Sequence, residues 1–294
     1  MFKRIFFLLF IAFFCLGCQQ YSQPKEEYFF KEEDSYQRLV VIPQEPQRIV
    51  SFSGSITEII FLLHQEKKLV AVSDFCTYPP ATKDIPKVGK LLNINVESVL
   101  KLQPDLVLIS SVVGKQDVEK MERAGLTVFA IKGEERLDDI FTSISTIGKI
   151  LNCSASADSL CQDLRQQLPS RENIEKDQKA PSVYYVVGFG KGGDYTAPGN
   201  SYIQDIICLA GGRNIGEPLH TWSVSREYLF QQNPDYIFIR EEDLDVFCST
   251  EPYIKLDAVK KKHVYPIPSG WIDIVSPRNI NAVNWIKEKI GTKE

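Results

Sequence analysis

After Pro46 the chain alternates between short apolar runs and stretches with helical spacing. Arg48-Ile-Val-Ser-Phe52, Leu69-Val-Ala-Val-Ser73, Leu106-Val-Leu-Ile-Ser110 and Thr127-Val-Phe-Ala-Ile131 are apolar without polar alternation. That pattern predicts strands covered on both faces. Helices are predicted between them over Thr57 to Leu63, Val96 to Leu102 and Gln116 to Ala124. Pro104 closes the second and Gly125 stops the third. A helical region follows from about Leu137 to Leu168. In its second part Ala157, Leu160, Cys161, Leu164 and Leu168 fall on one stripe, with Asn152 or Ser154 available as a cap and Pro169 as a stop. The alternation then restarts, with strands expected at Ser182 to Val187, Tyr236 to Ile239 and His263 to Ile267. Helices are expected at Tyr202 to Ala210, Ser225 to Gln232 and Asn281 to Ile290. Strands separated by helices predict parallel sheets with helices on both faces.

The N-terminal end differs from this pattern. Lys3 and Arg4 precede an apolar run from Ile5 to Leu16 that ends in Leu16-Gly17-Cys18. About twelve residues are too few to span a bilayer and match a secretory core. A small residue directly before a Cys predicts cleavage and lipidation at Cys18, although Cys15 stands where such boxes usually carry Leu. The alternative is a plain secretory signal with an incidental cysteine. Residues 18–35 are polar and charged, as a flexible tether would be, and a first strand is expected at Arg38 to Ile42. This divides the chain into a signal peptide (1–17), a lipidated tether (18–35), a first α/β lobe (36–152), a spine helix and linker (153–180) and a second α/β lobe (181–294).

Composition narrows the function. The net charge is −4, with no basic footprint for nucleic acid. Seven cysteines and three histidines show no metal-ligand spacing, so no zinc site or other bound metal is expected. Export allows some cysteines to oxidise, in pairs that spacing does not reveal. Gly188-Phe-Gly-Lys-Gly-Gly193 fits a dinucleotide fingerprint after a strand. That fingerprint requires a helix immediately afterwards, and Asp194-Tyr-Thr-Ala-Pro-Gly199 reads as loop. A nucleophile elbow is also missing from the sequence. A dinucleotide-dependent oxidoreductase is therefore the remote alternative, and no cofactor is expected.

The halves echo each other. Leu102-Gln-Pro-Asp-Leu-Val-Leu-Ile109 parallels Gln232-Asn-Pro-Asp-Tyr-Ile-Phe-Ile239. Around these lie, in order, Arg48-Ile-Val-Ser-Phe-Ser-Gly-Ser-Ile-Thr-Glu58, Cys76-Thr-Tyr-Pro-Pro80, Pro86-Lys-Val-Gly89, Asn95-Val-Glu97, Ala210-Gly-Gly-Arg-Asn-Ile215, Val224-Ser-Arg-Glu227 and Ser276-Pro-Arg278. The ordered set, over roughly residues 36–290, resembles the substrate-binding proteins of ABC importers that carry cobalamin, haem or ferric siderophores. The resemblance implies two Rossmann-like lobes joined by a single long spine helix, with the ligand in the cleft between them and small lobe motions. It implies a monomer that is no enzyme, faces the periplasm or cell exterior on its lipid anchor, and delivers its ligand to a permease and its ATPase.

It also implies an exposed glutamate on each lobe for permease docking, here Glu58 and Glu227. Glu58 closes a Ser55-Ile-Thr-Glu58 capping-box pattern as well, and Glu227 suits a first helical turn in any case. Cleft candidates are Phe75, Tyr78 and Asn93 in the first lobe, with Lys90 and Leu91. In the second lobe they are Phe189, Tyr195, His220, Trp222, Trp271 and Asp273. Aromatic rings suit a broad, partly apolar chelate. Arg278 reads as structural. Cobalamin-binding relatives often carry an acid before the tryptophan that is here Trp271, where this chain has Gly270. Haem-binding relatives use an axial Tyr or His, for which Tyr195 and His220 are available. Siderophore binders collect arginines, which are few here. A corrinoid is favoured.

Overall fold

The computed structural model describes residues 28–91, 94–133, 135–169 and 180–291. The signal peptide and Cys18 lie outside the described residues.

The first lobe is a parallel sheet of β3 (Ile49–Ser51), β4 (Leu69–Val72), β5 (Leu106–Ile109) and β6 (Val128–Ala130), in the order β4-β3-β5-β6. Helices α1 (Gly54–Leu62), α2 (Val96–Leu100) and α3 (Lys115–Arg123) connect its strands. The second lobe repeats the plan with β7 (Ser182–Val186), β9 (Arg213–Asn214), β11 (Tyr236–Arg240) and β12 (Val264–Ile267), in the order β12-β11-β7-β9. Its crossovers include α6 (Tyr202–Leu209), α7 (Arg226–Gln232), α8 (Leu244–Ser249) and α9 (Asp257–Lys260), and α10 (Asn279–Gly291) closes the chain. Gly211 follows α6 with φ +89°, a conformation in which a Cβ would be strained. A short antiparallel pair of β8 (Asp194–Tyr195) and β10 (Ser223–Val224) lies beside this sheet. The Gly188–Gly193 loop runs into β8, not into a helix, which removes the dinucleotide reading.

Side chains alternate between two covered faces. On β5, Leu106 and Leu108 face one cluster while Val107 and Ile109 face another; on β7, Val183 and Tyr185 part from Tyr184 and Val186 in the same way. The inner faces do not make two separate cores. Ile49, Leu108 and Phe129 of the first lobe join Val183, Phe238 and Val283 of the second through the buried faces of α4 (Asp139–Ile150) and α5 (Ser154–Gln166). Each lobe keeps its own cluster only on its outer face.

One boundary needs correction. The stretch expected as a tether over 18–35 is not one throughout. Residues Phe30–Glu33 form β1, antiparallel to β2 (Leu39–Ile42), and Phe30 packs edge-on against Phe129 with ring centres 5.4 Å apart. The loop between them is held by Asp34, a fully buried carboxylate that accepts from Tyr36 N (2.9 Å), Arg38 Nε (3.0 Å) and Ala130 N (3.3 Å). A charged stretch passes for a tether in sequence, but its apolar Phe30 and its Asp34 staple fix it to the lobe. The boundary drawn at 152/153 falls where the helices break. The helical stretch before residue 167 is a hairpin of two helices, broken at Leu151–Cys153 where Asn152 takes φ +58°. Neither Asn152 nor Ser154 caps α5, whose N-cap Cys153 makes no side-chain bond. The stripe on α5 is as read: Ala157, Cys161 and Leu164 are buried, and Leu160 and Leu168 pack at the edge. Among the described residues Cys76, Cys153, Cys161 and Cys248 are free thiols.

The hairpin closes where Gly148 meets α5. A methyl at Gly148 would stand 2.4 Å from the Ala157 methyl. Gly148→Ala should therefore lower the unfolding free energy by about 1–3 kcal/mol in urea titrations. An unchanged midpoint would show that α4 and α5 do not pack as described.

Candidate functional site

Two loops face each other across the gap between the lobes. The first follows β4. Its anchor is the buried Cys76, whose Sγ receives the Thr57 hydroxyl at 3.3 Å and lies 3.3 Å from Ser73 Oγ. Lys87 Nζ donates to the Cys76 carbonyl at 2.8 Å. With its middle tied down, the loop turns Phe75 and Tyr78 outward, at 62% and 42% exposure. The second loop follows β12. The fully buried Asn279 holds it by donating to Trp271 O (2.8 Å) and Ile274 O (2.9 Å) while accepting from Ser276 N (2.8 Å). Tyr202 adds a bond to Ile272 O at 2.6 Å. Between the loops lies a cavity of about 320 Å³ lined by Gly54, Phe75, Thr77, Tyr78, Ser269, Gly270, Asp273, Ile274 and Arg278.

Its floor is an ion pair. Arg278 Nε donates to Glu58 Oε2 at 2.8 Å, joining residues of opposite lobes. The Glu58 side chain is 2% exposed and that of Arg278 17%. The same guanidinium lies over the Tyr78 ring, 4.1 Å from its centre. Gly270 makes this possible, since a Cβ there would stand 2.2 Å from Arg278 Nη1. Burial pushes the Glu58 carboxyl above its usual range, and the charge and hydrogen bond of Arg278 offset part of that rise. The second charged group of the cavity is also balanced: Asp273 accepts from Arg240 Nε at 3.1 Å and from Tyr185 Oη at 3.3 Å.

Glu58 is therefore not a docking residue. The cap of α1 is Ser53, whose Oγ accepts from Ile56 N, so Ser55 is helical and Glu58 sits on the buried face instead of closing a capping box. Glu227 is as expected: exposed in the first turn of α7, after Ser225 caps the helix through Tyr228 N at 3.1 Å. Its counterpart is Glu97, exposed in the first turn of α2 after Asn95 caps through Ser98 N at 3.1 Å. Both glutamates stand at the same offset before a Pro-Asp pair. Asp105 and Asp235 then do the same work, accepting from backbone amides at the start of the neighbouring strand, Arg48 N at 3.0 Å and Ser182 N at 2.8 Å. The internal repeat carried this signal in the sequence.

Of the expected cleft residues, Phe75, Tyr78 and Asp273 line the cavity. Asn93 lies outside the described residues. Phe189 is drawn into the second lobe, with its ring edge-on to Phe247 (5.1 Å) and Tyr253 (5.6 Å). Trp271 is half-buried against the shared core. Tyr195, His220 and Trp222 are exposed but do not reach this cavity; the Tyr195 hydroxyl donates back to Gly192 O at 2.9 Å. Among the described residues, no group of three or more His, Cys, Asp or Glu is placed to hold a metal ion.

A two-lobed α/β chain with loops converging on an interlobe cleft defines an extracytoplasmic solute-binding protein. Residues 49–270 match the family described as periplasmic binding protein, and the chain belongs to it. Its members are binding components of ABC transport systems, without enzymatic activity. One relative is a cobalamin-binding protein of Halobacterium salinarum, 30% identical over 214 residues; the alignment covers 70% of this chain and 57% of that protein. The chain thus spans little more than half the length of the first relatives it matches. An ABC transporter substrate-binding lipoprotein of Bacillus subtilis, YvrC, is 28% identical over 278 residues, covering 92% of this chain and 88% of that one. The fold matches the periplasmic heme-binding protein RhuT from Roseiflexus sp. RS-1 with a TM-score of 0.73, at 23% identity over 83% of this chain and 97% of that one.

The Glu58–Arg278 pair yields a graded expectation. Glu58→Ala leaves a mostly buried guanidinium without its carboxylate and should cost about 3–5 kcal/mol in thermal or urea unfolding. Glu58→Gln keeps the volume and should cost much less. Because folding raises the Glu58 pKa, the group stabilises the native state at low pH and loses that contribution as pH rises through the raised value. The stability of the wild type should therefore fall relative to Glu58→Gln as the pH climbs out of the acid range. Parallel pH profiles would contradict the burial described here.

Proposed function

We propose that the protein is a lipid-anchored receptor that captures a corrinoid such as cobalamin and passes it to an ABC permease with its ATPase. The observation that carries this reading is a cleft that is aromatic at the rim and electrically balanced inside. Arg278 is matched by Glu58 and Asp273 by Arg240. A ligand with a broad apolar face and a neutral amide periphery suits such a site. Haem carboxylates would ask for unmatched cations, and an axial ligand would have to come from Tyr78, the sole tyrosine or histidine among the described residues that line the cavity, whose ring Arg278 covers. A ferric siderophore of high negative charge meets the same shortage of free cations. The corrinoid-binding relative supports the choice. At about 320 Å³ the cavity takes one edge of a macrocycle, leaving the rest to the exposed Phe75 and Tyr78.

Anchoring through Cys18 is supported by the secretory-type start and by the lipoprotein relative aligned over most of the chain. In this reading the protein acts as a monomer, and the permease grips Glu97 on one lobe and Glu227 on the other. Their equal placement on helix starts supplies two like charges for a two-fold set of basic partners, which fix orientation and on-rate.

Calorimetry with cyanocobalamin, haemin and a ferric hydroxamate tests the ligand. Saturable one-to-one binding of cyanocobalamin, at micromolar dissociation constants or tighter, is expected. Tight haemin binding with a shifted Soret band and no cobalamin heat would refute the corrinoid. For docking, Glu97→Arg with Glu227→Arg should abolish uptake in cells while affinity for the ligand is retained; normal uptake by that double variant would remove the docking assignment.

A further inference from the structure

We propose that Arg278, besides joining the lobes, is the polar contact that positions the ligand in the cleft, donating from its Nη groups to an oxygen acceptor on the periphery of the bound chelate. The assignment rests on the corrinoid reading for its probe, not for its geometry. The guanidinium has five N–H donors in one plane. Its Nε is taken by Glu58 at 2.8 Å and one face is taken by the Tyr78 ring. Among the described residues the Nη groups make no hydrogen bond, and the side chain lines the interlobe cavity. Two restraints thus fix the plane of the cation and leave its donor edge free.

Gly270 completes the arrangement. It lines the same cavity, and a Cβ would come within 2.2 Å of Nη1. Position 270 is bare because the arginine occupies the space its side chain would take. The cleft is therefore served from residue 278 by a donor, where a side chain at 270 would otherwise project. A bidentate donor already held in place loses little freedom when a ligand oxygen arrives. Corrinoids offer two such oxygens, the amide carbonyls of the ring and the phosphodiester of the nucleotide loop. Neither requires a net charge on the cleft, since Glu58 continues to balance Arg278.

The test compares cyanocobalamin, dicyanocobinamide (which lacks the phosphodiester), haemin and a ferric hydroxamate by calorimetry on the wild type, Arg278→Lys and Gly270→Ala. Melting temperatures and circular dichroism confirm that each variant is folded. If either substitution unfolds the chain, the double variant Arg278→Gln with Glu58→Gln, which removes the guanidinium without leaving a buried charge unmatched, takes its place and should show the same loss. Expected is a loss of at least tenfold in affinity for cyanocobalamin in Arg278→Lys and in Gly270→Ala. An equal loss for dicyanocobinamide assigns the acceptor to an amide; a loss confined to cyanocobalamin assigns it to the phosphate. Wild-type affinity in folded variants with lowered melting temperatures would overturn the proposal, leaving Arg278 as a lobe-to-lobe link only, while the corrinoid reading would stand. Binding of haemin alone, weakened by the same substitutions, would sink the corrinoid and keep Arg278. Binding of none of the four by the wild type would overturn both.

Discussion

One buried contact determines how the halves of this molecule meet. Glu58 of the first lobe and Arg278 of the second form an ion pair at the floor of the cleft, with Tyr78 covering the cation. Charges withdrawn from water are costly unless each is matched, so the pair strongly favours one spacing and one orientation of the lobes. Much follows from that requirement. Glu58 must point inward from α1, which removes it from the surface. Position 270 must lack a side chain. The loop carrying Ser276-Pro-Arg278 must be rigid, and the buried Asn279 makes it so through three hydrogen bonds.

The pair does not act alone. The inner faces of both sheets contribute to one continuous apolar cluster through α4, α5, α6 and α10. Moving one lobe against the other would disturb side chains that are already close-packed. A binding protein built in this way keeps its cleft nearly preformed, so recognition depends on what the two loops present. The two loops present Phe75 and Tyr78 on one side of the cavity and Asp273 and Arg278 on the other. Glu97 and Glu227 are kept apart from this network: both sit exposed on capped helix starts.

The alternation of strands and helices was legible, because parallel strands covered on both faces are continuous apolar runs and Pro-Asp ends the helix before them. The α5 stripe was legible for the same reason. Phe30–Glu33 was not, since four residues among acids and lysines carry no period, and their strand depends on pairing with β2 and on Phe129. The site was half legible. Phe75, Tyr78 and Asp273 could be read as loop residues next to strand ends. Phe189 and Trp271 could not be told from core, because burial depends on partners such as Phe247 that are remote in sequence. Glu58 was misread because the Ser53 cap shifts the helix start by two residues and turns its face, and because Arg278 lies far along the chain. Glu97 was missed, although it stands at the same distance before Pro-Asp as Glu227.

A structure of the protein crystallised with cyanocobalamin tests the account most directly. The corrin should enter edge-first between the Phe75–Tyr78 loop and the Gly270–Ile274 loop, with Arg278 still on Glu58 and the lobes nearly unmoved. A corrin bound elsewhere, or a cleft opened by separation of Glu58 from Arg278, would contradict it.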